Sequence, residues 1–213
     1  MTARKPADAR RREIAGAALR IVAEQGLARF TAASIAREVG VSDAALFRHF
    51  PTMDAIVLAV VDRAEEILFD GFPPSDPDPI ARLGRFFERR IAVIRENAGV
   101  ARVVGSDLLA EVAPPEGVAR VASFRRRSRA FVQRTLREAR RKGLLARGLE
   151  PDEASVLVLG AVLALGHAGL GSAEHGLPAR VWNALERTLR GSAGGARATE
   201  AKTRRSAPAR KAG

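Results

Sequence analysis

The residues whose types and spacing could do chemistry lie between Thr31 and Phe50: Thr31-Ala-Ala-Ser-Ile-Ala-Arg-Glu-Val-Gly-Val-Ser-Asp-Ala-Ala-Leu-Phe-Arg-His-Phe50. The chemistry they suit is contact with a polyanion rather than turnover. Thr31 and Ser42 each precede a short run of helix formers, where a hydroxyl oxygen can accept from a free backbone amide and cap the helix. Gly40 supplies the left-handed backbone that ends the first run, and Gly40-Val41-Ser42 makes a three-residue turn. Ile35, Val39, Val41, Leu46 and Phe50 are apolar anchors, with Ala36 the small residue where the two helices cross. The remaining positions of the second helix, Ser42, Asp43, Ala44, Ala45 and Arg48, point away from those anchors. A helix presented in this way can enter a DNA major groove with its first residues at base edges. An ordinary pair of packed helices would use the same anchors. The offsets taken together, with a basic arm before and a capped helix after, favour the groove.

Periodicity supplies the elements that must position this stretch. Ile14, Ala18, Ile21 and Val22 line a first helix that Gly26 ends, and Thr52 caps a fourth carrying Ile56, Val60, Ala64 and Ile67. Gly71 to Pro79 is a turn-rich connector, with Pro79 suited to a first helical position after Asp78. Ile80, Leu83, Phe87, Ile91 and Ile94 mark a fifth helix, and a sixth is expected from Gly99 to Val112, before Pro114-Pro115. The seventh turns Val121, Phe124, Phe131 and Ala139 inward and ends near Gly143. Pro151 opens an eighth, with Asp152 and Glu153 at its positive end. Pro178 opens a ninth, bearing Val181, Trp182, Leu185 and Leu189 and closed by Gly191. No run alternates in the manner of a strand. The expected class is all-α with nine helices. It divides into a flexible basic arm over 1–9, a helix-turn-helix DNA-binding domain over 10–62, a helical effector-binding and dimerisation domain over 63–190, and a disordered basic tail over 191–213.

From Arg11 to Ala59 the chain resembles the TetR family of repressors. The resemblance runs through Arg-Arg-Glu-Ile, Ala-Ala-Leu-Arg and Glu-Gln-Gly, then Ile-Ala-Arg-Glu-Val-Gly-Val-Ser and Leu-Phe-Arg-His-Phe-Pro. It implies a homodimer whose first three helices bind DNA, whose fourth links them to a ligand-binding core, and whose eighth and ninth pair with their copies. Carried over by position, Thr31 contacts phosphate, Arg37 phosphate or base, and Ser42 to Ala45 with Arg48 form the recognition surface. Phe47 and His49 occupy the places of two aromatics, commonly Tyr. Two departures remove customary phosphate contacts: Phe47 lacks a phenolic hydroxyl, and Met53 stands where relatives often carry Lys. Arg48, His49 and the arm of Arg10, Arg11 and Arg12 are expected to offset them. His49 reads equally as a packed or solvent-facing residue. Asp43 suits the helix N-terminus better than a cytosine amino group. Ser42 to Pro51 also looks close to the recognition helix of the family's nucleoid-occlusion branch.

Charge agrees with a polyanion partner. The net charge is +12, with Arg4, Lys5, Arg10, Arg11 and Arg12 against Asp8 at one end and Arg197, Lys202, Arg204, Arg205, Arg210 and Lys211 against Glu200 at the other. Such clustering is the electrostatic footprint of nucleic-acid binding, although solubility alone could also require it. The chain has no Cys, which removes disulfides, thiolate metal sites and a Cys nucleophile. Its three His are widely spaced, and no phosphate loop or catalytic triad is present, so neither an enzyme, a metal site nor a cofactor is expected. Ala154 to Leu170 carries no formal charge, but Ser155, Gly160, Gly166, His167 and Gly169 interrupt it, and a buried helix is expected rather than a membrane span. The expected location is cytoplasmic and nucleoid-associated.

Two further surfaces are expected. Gly160, Ala164 and Ala168 at four-residue spacing would let helix backbones approach closely. With Leu157, Trp182, Leu185 and Leu189 they make a self-complementary dimer face, or else an internal core helix. An effector pocket would lie among helices five to eight, with Phe86, Phe87, Val103 and Phe124 as walls and Asp107, Ser128 and His167 as polar contacts. Few polar groups lie there, so a small or apolar effector is expected.

Overall fold

The computed structural model describes residues 7–105, 112–167 and 176–191. Among these residues there are nine α-helices and no strand. They are α1 (Ala7–Gln25), α2 (Ala32–Val39), α3 (Asp43–His49), α4 (Met53–Leu68), α5 (Pro79–Glu96), α6 (Ala98–Gly105), α7 (Pro115–Arg141), α8 (Pro151–His167) and α9 (Leu177–Arg190). The predicted boundaries are met closely except at α6, whose expected second half falls outside the described residues. So do Asp107, Ala168, the side chain of His167, the first six residues of the arm and the tail beyond Gly191.

Helix starts follow local chemistry. Thr31, Ser42 and Thr52 accept from the amides of Ser34, Ala45 and Ala55, and Asp78 accepts from Ile80 ahead of Pro79. Each cap satisfies a donor that the first helical turn leaves free.

Two apolar clusters fill the interior. The first joins α1 to α4 through Ile14, Ile35, Leu46, Phe50, Ile56 and Val60, and extends to Val100 and Val103 of α6 and Phe124 of α7. The second packs α5, α7, α8 and α9. α4 runs unbroken through residues 62 and 63, where a domain boundary is expected from the sequence. Helices α1 to α4 therefore share their core with α6 and α7. Contact between α1 and α6 is close: a Cβ on Gly99 would lie 2.5 Å from the Leu19 carbonyl oxygen.

The second cluster corrects part of the expected dimer face. Trp182 is only 6% exposed; its indole fills the space left by Gly84, where a Cβ would lie 2.8 Å from the ring, and its ring centroid is 5.3 Å from that of Phe87. Leu189 is also buried. α9 turns its apolar stripe toward α5 of its own chain, so these two residues belong to the protomer core. α8 is only half covered. Ala154, Val158, Val162 and Leu165 face inward, while Val156 (69% exposed), Leu157 (44%) and Leu163 (57%) face outward with Gly160 and Ala164. No single described helix is long and apolar enough to cross a membrane.

Candidate nucleic-acid interface and cavity

The turn between α2 and α3 is built by Gly40, at φ 72° and ψ 40°, while the Val41 amide donates 2.9 Å to the Ala36 carbonyl. That pairing closes α2 with a left-handed residue and reverses the chain within three residues. Leu46 and Phe50 are fully buried beneath α3, and Ile35 and Ala36 beneath α2. With its anchors inward, the pair turns Thr31, Arg37, Ser42, Asp43, Ala44, Phe47 and Arg48 to the surface, while Ala45 and His49 are half-buried.

The electrostatics of this face are simple. Arg37 and Arg48 are exposed, and neither is paired with a carboxylate among the described residues. Asp43 lies in the first turn of α3, where its charge complements the helix N-terminus. The Thr31 hydroxyl accepts from the Ser34 amide and donates 3.0 Å to the Ser34 hydroxyl. A phosphate oxygen could replace that second contact without disturbing the cap. Ser42 likewise uses an acceptor lone pair for Ala45, which leaves its hydroxyl proton to donate outward.

Arg11 has a more structural place than the sequence implies. Its guanidinium lies 4.5 Å from the centre of the Phe50 ring and donates 3.2 Å to the His49 carbonyl. It clamps α1 onto the end of α3 while remaining exposed. Met53 is half-buried against the first cluster, so the thioether packs where a Lys would reach outward. Arg29, two residues before Thr31, is exposed and was not singled out from the sequence. Its only signal there is its charge just ahead of an N-cap.

A cavity of about 650 Å³ lies between the end of α4 and helices α5, α7 and α8. Phe86, Phe124 and Ser128 are among its lining residues. Phe87 and Val103 are not: both are buried in the clusters, because α5 and α6 turn those positions toward Trp182 and α1 respectively. Nor is the cavity weakly polar. Arg90, Arg125, Arg126 and Arg129 line it, against the expectation of a small or apolar effector. Arg90 was missed although it sits on the apolar stripe of α5, in register with Phe86, Phe87, Ile91 and Ile94. A charge at such a position is itself a signal, since buried cations need a reason.

The family model described as "Bacterial regulatory proteins, tetR family" matches residues 14–60. A protein of Marinobacter nauticus, "Nucleoid occlusion factor SlmA", is 30% identical over 157 residues, which span 71% of this chain and 75% of that protein. The chain belongs to the TetR family. The match covers α2 and α3, and that pair is the helix-turn-helix of a TetR-family regulatory protein. A Pasteurella multocida protein of the same name is 36% identical over 105 residues, and there the match spans about half of the relative's length, 52%. Among solved structures, "AibR in complex with isovaleryl coenzyme A and operator DNA" superposes with a TM-score of 0.66 at 17% identity, covering 85% of this chain and 98% of that one. That likeness carries the TetR fold across the helices beyond the matched N-terminal region.

Proposed function

We propose that this chain is a homodimeric repressor that reads a palindromic operator with α3 and is released by a small molecule held in the α5–α8 cavity. One observation carries the reading: Arg37 and Arg48, in the last turns of α2 and α3, stand exposed and without acidic partners among the described residues, on helices whose capped starts expose Thr31 and Ser42. The capped Thr31 and the unpaired Arg37 suit phosphate, while Arg48 and the short side chains of Ser42, Ala44 and Ala45 suit an approach to base edges. Residues 10–62 supply the DNA-reading unit, with Arg11, Thr31, Arg37, Ser42 to Ala45, Phe47, Arg48 and His49 as its contact set. Residues 63–190 supply the effector and dimer functions, and the basic tail adds sequence-independent attraction.

Dimerisation is supported by the outward stripe of α8, since an apolar helix face of this kind is stable when a second copy covers it. Leu157, Gly160 and Ala164 belong to it, and in this reading the half-buried Leu185 of α9 adds to the same interface. AibR, of the same fold, is described with both a coenzyme A thioester and operator DNA. Regulation rather than turnover is the activity. Selection from a random DNA pool tests the proposal: it should recover one sequence with dyad symmetry, and recovery of no preferred sequence would overturn it.

A second reading is favoured by the relatives, which are named nucleoid occlusion factors. In that reading the same helix-turn-helix marks many dispersed chromosomal sites. Genome-wide occupancy separates the two, because dispersed binding without transcriptional change supports occlusion and binding at a few promoters supports repression.

A further inference from the structure

Arg90 is the most unusual charge among the described residues. It is 6% exposed and lies among three aromatic rings, with its guanidinium 4.9 Å from the centre of Phe69, 5.3 Å from Phe86 and 6.0 Å from Phe72. It donates 2.9 Å to the Leu68 carbonyl and 3.3 Å to the Ser128 hydroxyl. No carboxylate pairs with it among the described residues. Burial, and then the charge of Arg127, pushes the Arg90 guanidinium down from its ordinary value to about 10. It therefore stays cationic at neutral pH, at a standing cost that a counter-ion would remove.

Its neighbours differ. Arg127 pairs with Glu65, and Arg125 donates to the Val104 carbonyl at 2.8 Å. Arg90 alone combines deep burial with a place on the cavity wall and no opposite charge. Arg125, Arg126, Ser128 and Arg129 make the α7 side of that wall polar, and Phe86, Ile94, Phe124, Leu159 and Val162 make the rest apolar. A cavity with a buried cation on α5, further cations along α7 and hydrocarbon on the remaining sides is complementary to an amphiphile with an anionic head.

The same guanidinium holds the end of α4. Leu68 is the last residue of that helix, and one turn earlier Glu65 is paired with Arg127, which itself stacks 3.9 Å from the Phe69 ring centre. Two arginines of the effector core thus grip the C-terminal turn of the helix that follows the helix-turn-helix. An anion that takes the Nη1 donor of Arg90 competes with the Leu68 carbonyl for it. Occupancy and the seating of α4 then become linked.

We infer that Arg90 is the anion receptor of the cavity and the latch on α4, so that the effector is a small amphiphile with a carboxylate or phosphate head and an apolar tail. This rests on the proposal that the cavity is the effector site of a DNA-binding repressor.

The test is calorimetric titration of the full chain with decanoate, decyl phosphate and decanol. One of the two anions should bind at least about tenfold more tightly than decanol, as a charge-assisted hydrogen bond requires; which of them binds better identifies the head group. This comparison uses the unaltered chain. Arg90→Met should erase the preference for anion over alcohol while leaving decanol binding near its original value, and Arg90→Lys should retain part of it. Decanol equal to both anions, no binding of any of the three, or an anion preference that survives in a folded Arg90→Met would each overturn the inference. Added anion should also weaken DNA binding in the unaltered chain, and an unchanged DNA affinity would remove the latch. A chain that selects a DNA site but ignores both anions loses this inference and keeps the proposed function. One that binds an anion through Arg90 but selects no DNA loses the proposed function.

Discussion

Gly99→Ala probes the contact through which α6 leans on α1. The added Cβ would sit 2.5 Å from the Leu19 carbonyl oxygen, 2.6 Å from Leu19 Cγ and 3.0 Å from its Cδ1. The methyls could rotate aside, but the oxygen is backbone in the middle of α1 and can move only with the helix. Overpacking of this kind costs about 1–3 kcal/mol, and a fixed backbone neighbour places this site in the upper half of that range. Replacing a helical Gly returns at most about 0.5–1 kcal/mol, less in the first turn of α6 where Gly99 lies. The net loss is therefore about 1–2 kcal/mol, or roughly 2–8 °C in melting temperature for a chain of this size. Thermal unfolding followed by circular dichroism reads it, with Gly16→Ala as control, because the nearest atom to a Cβ there is the end of the Arg20 side chain at 4.0 Å. A Gly99→Ala protein that melts at or above the original would refute the close α1–α6 packing.

Other outcomes follow from the same geometry. Leu157→Glu changes a side chain already 44% exposed, so the protomer should fold normally while sedimentation finds monomers; an intact dimer would exclude the α8 stripe from the interface. Arg48→Ala should weaken binding to the selected site by about 1–3 kcal/mol and leave random DNA little affected, as read by fluorescence anisotropy. Removing the chain after Arg190 should lower affinity evenly across sequences and flatten the slope of log affinity against log salt. Asp78 gives a pH dependence. Burial tends to raise its carboxyl, but hydrogen bonds from Arg190 and the Ile80 amide outweigh this and hold it below the ordinary value of 3.8. The contribution of that link between α5 and α9 is whole above pH 3.8 and is lost as pH falls below it. Asp78→Asn should therefore flatten the acid limb of the stability profile, measured by urea unfolding between pH 2 and pH 5.

What the sequence made legible was whatever depends on neighbours along the chain. Thr31, Gly40, Ser42, Thr52 and Pro79 mark helix ends by local hydrogen bonding and backbone preference, and each stands at such an end in the structure. The identity of the facing element is a different matter. The stripe of Val181, Trp182, Leu185 and Leu189 is equally suited to a second copy or to α5, and only the hole at Gly84 decides that the indole turns inward. Phe72 sits in a turn-rich connector that gives no hint of packing, yet its ring centroid lies 5.1 Å from both Phe69 and Phe131. Arg90 was hidden for the opposite reason. Arg89 beside it is exposed, whereas the period of the apolar stripe carries Arg90 inside. Arg11 was read as an arm residue for DNA, and its clamp on the end of α3 joins positions 38 residues apart.

The central claim is that the first turn of α3 reads bases. Ala44 is exposed there, beside the Ser42 cap and clear of the buried anchors. The decisive measurement is selection from a random DNA pool with the original chain and with Ala44→Gln in parallel. The account predicts two symmetric half-sites centred about 34–36 Å apart, and a changed base at the same position of each half-site in the variant. An identical selected sequence from the two proteins would contradict it.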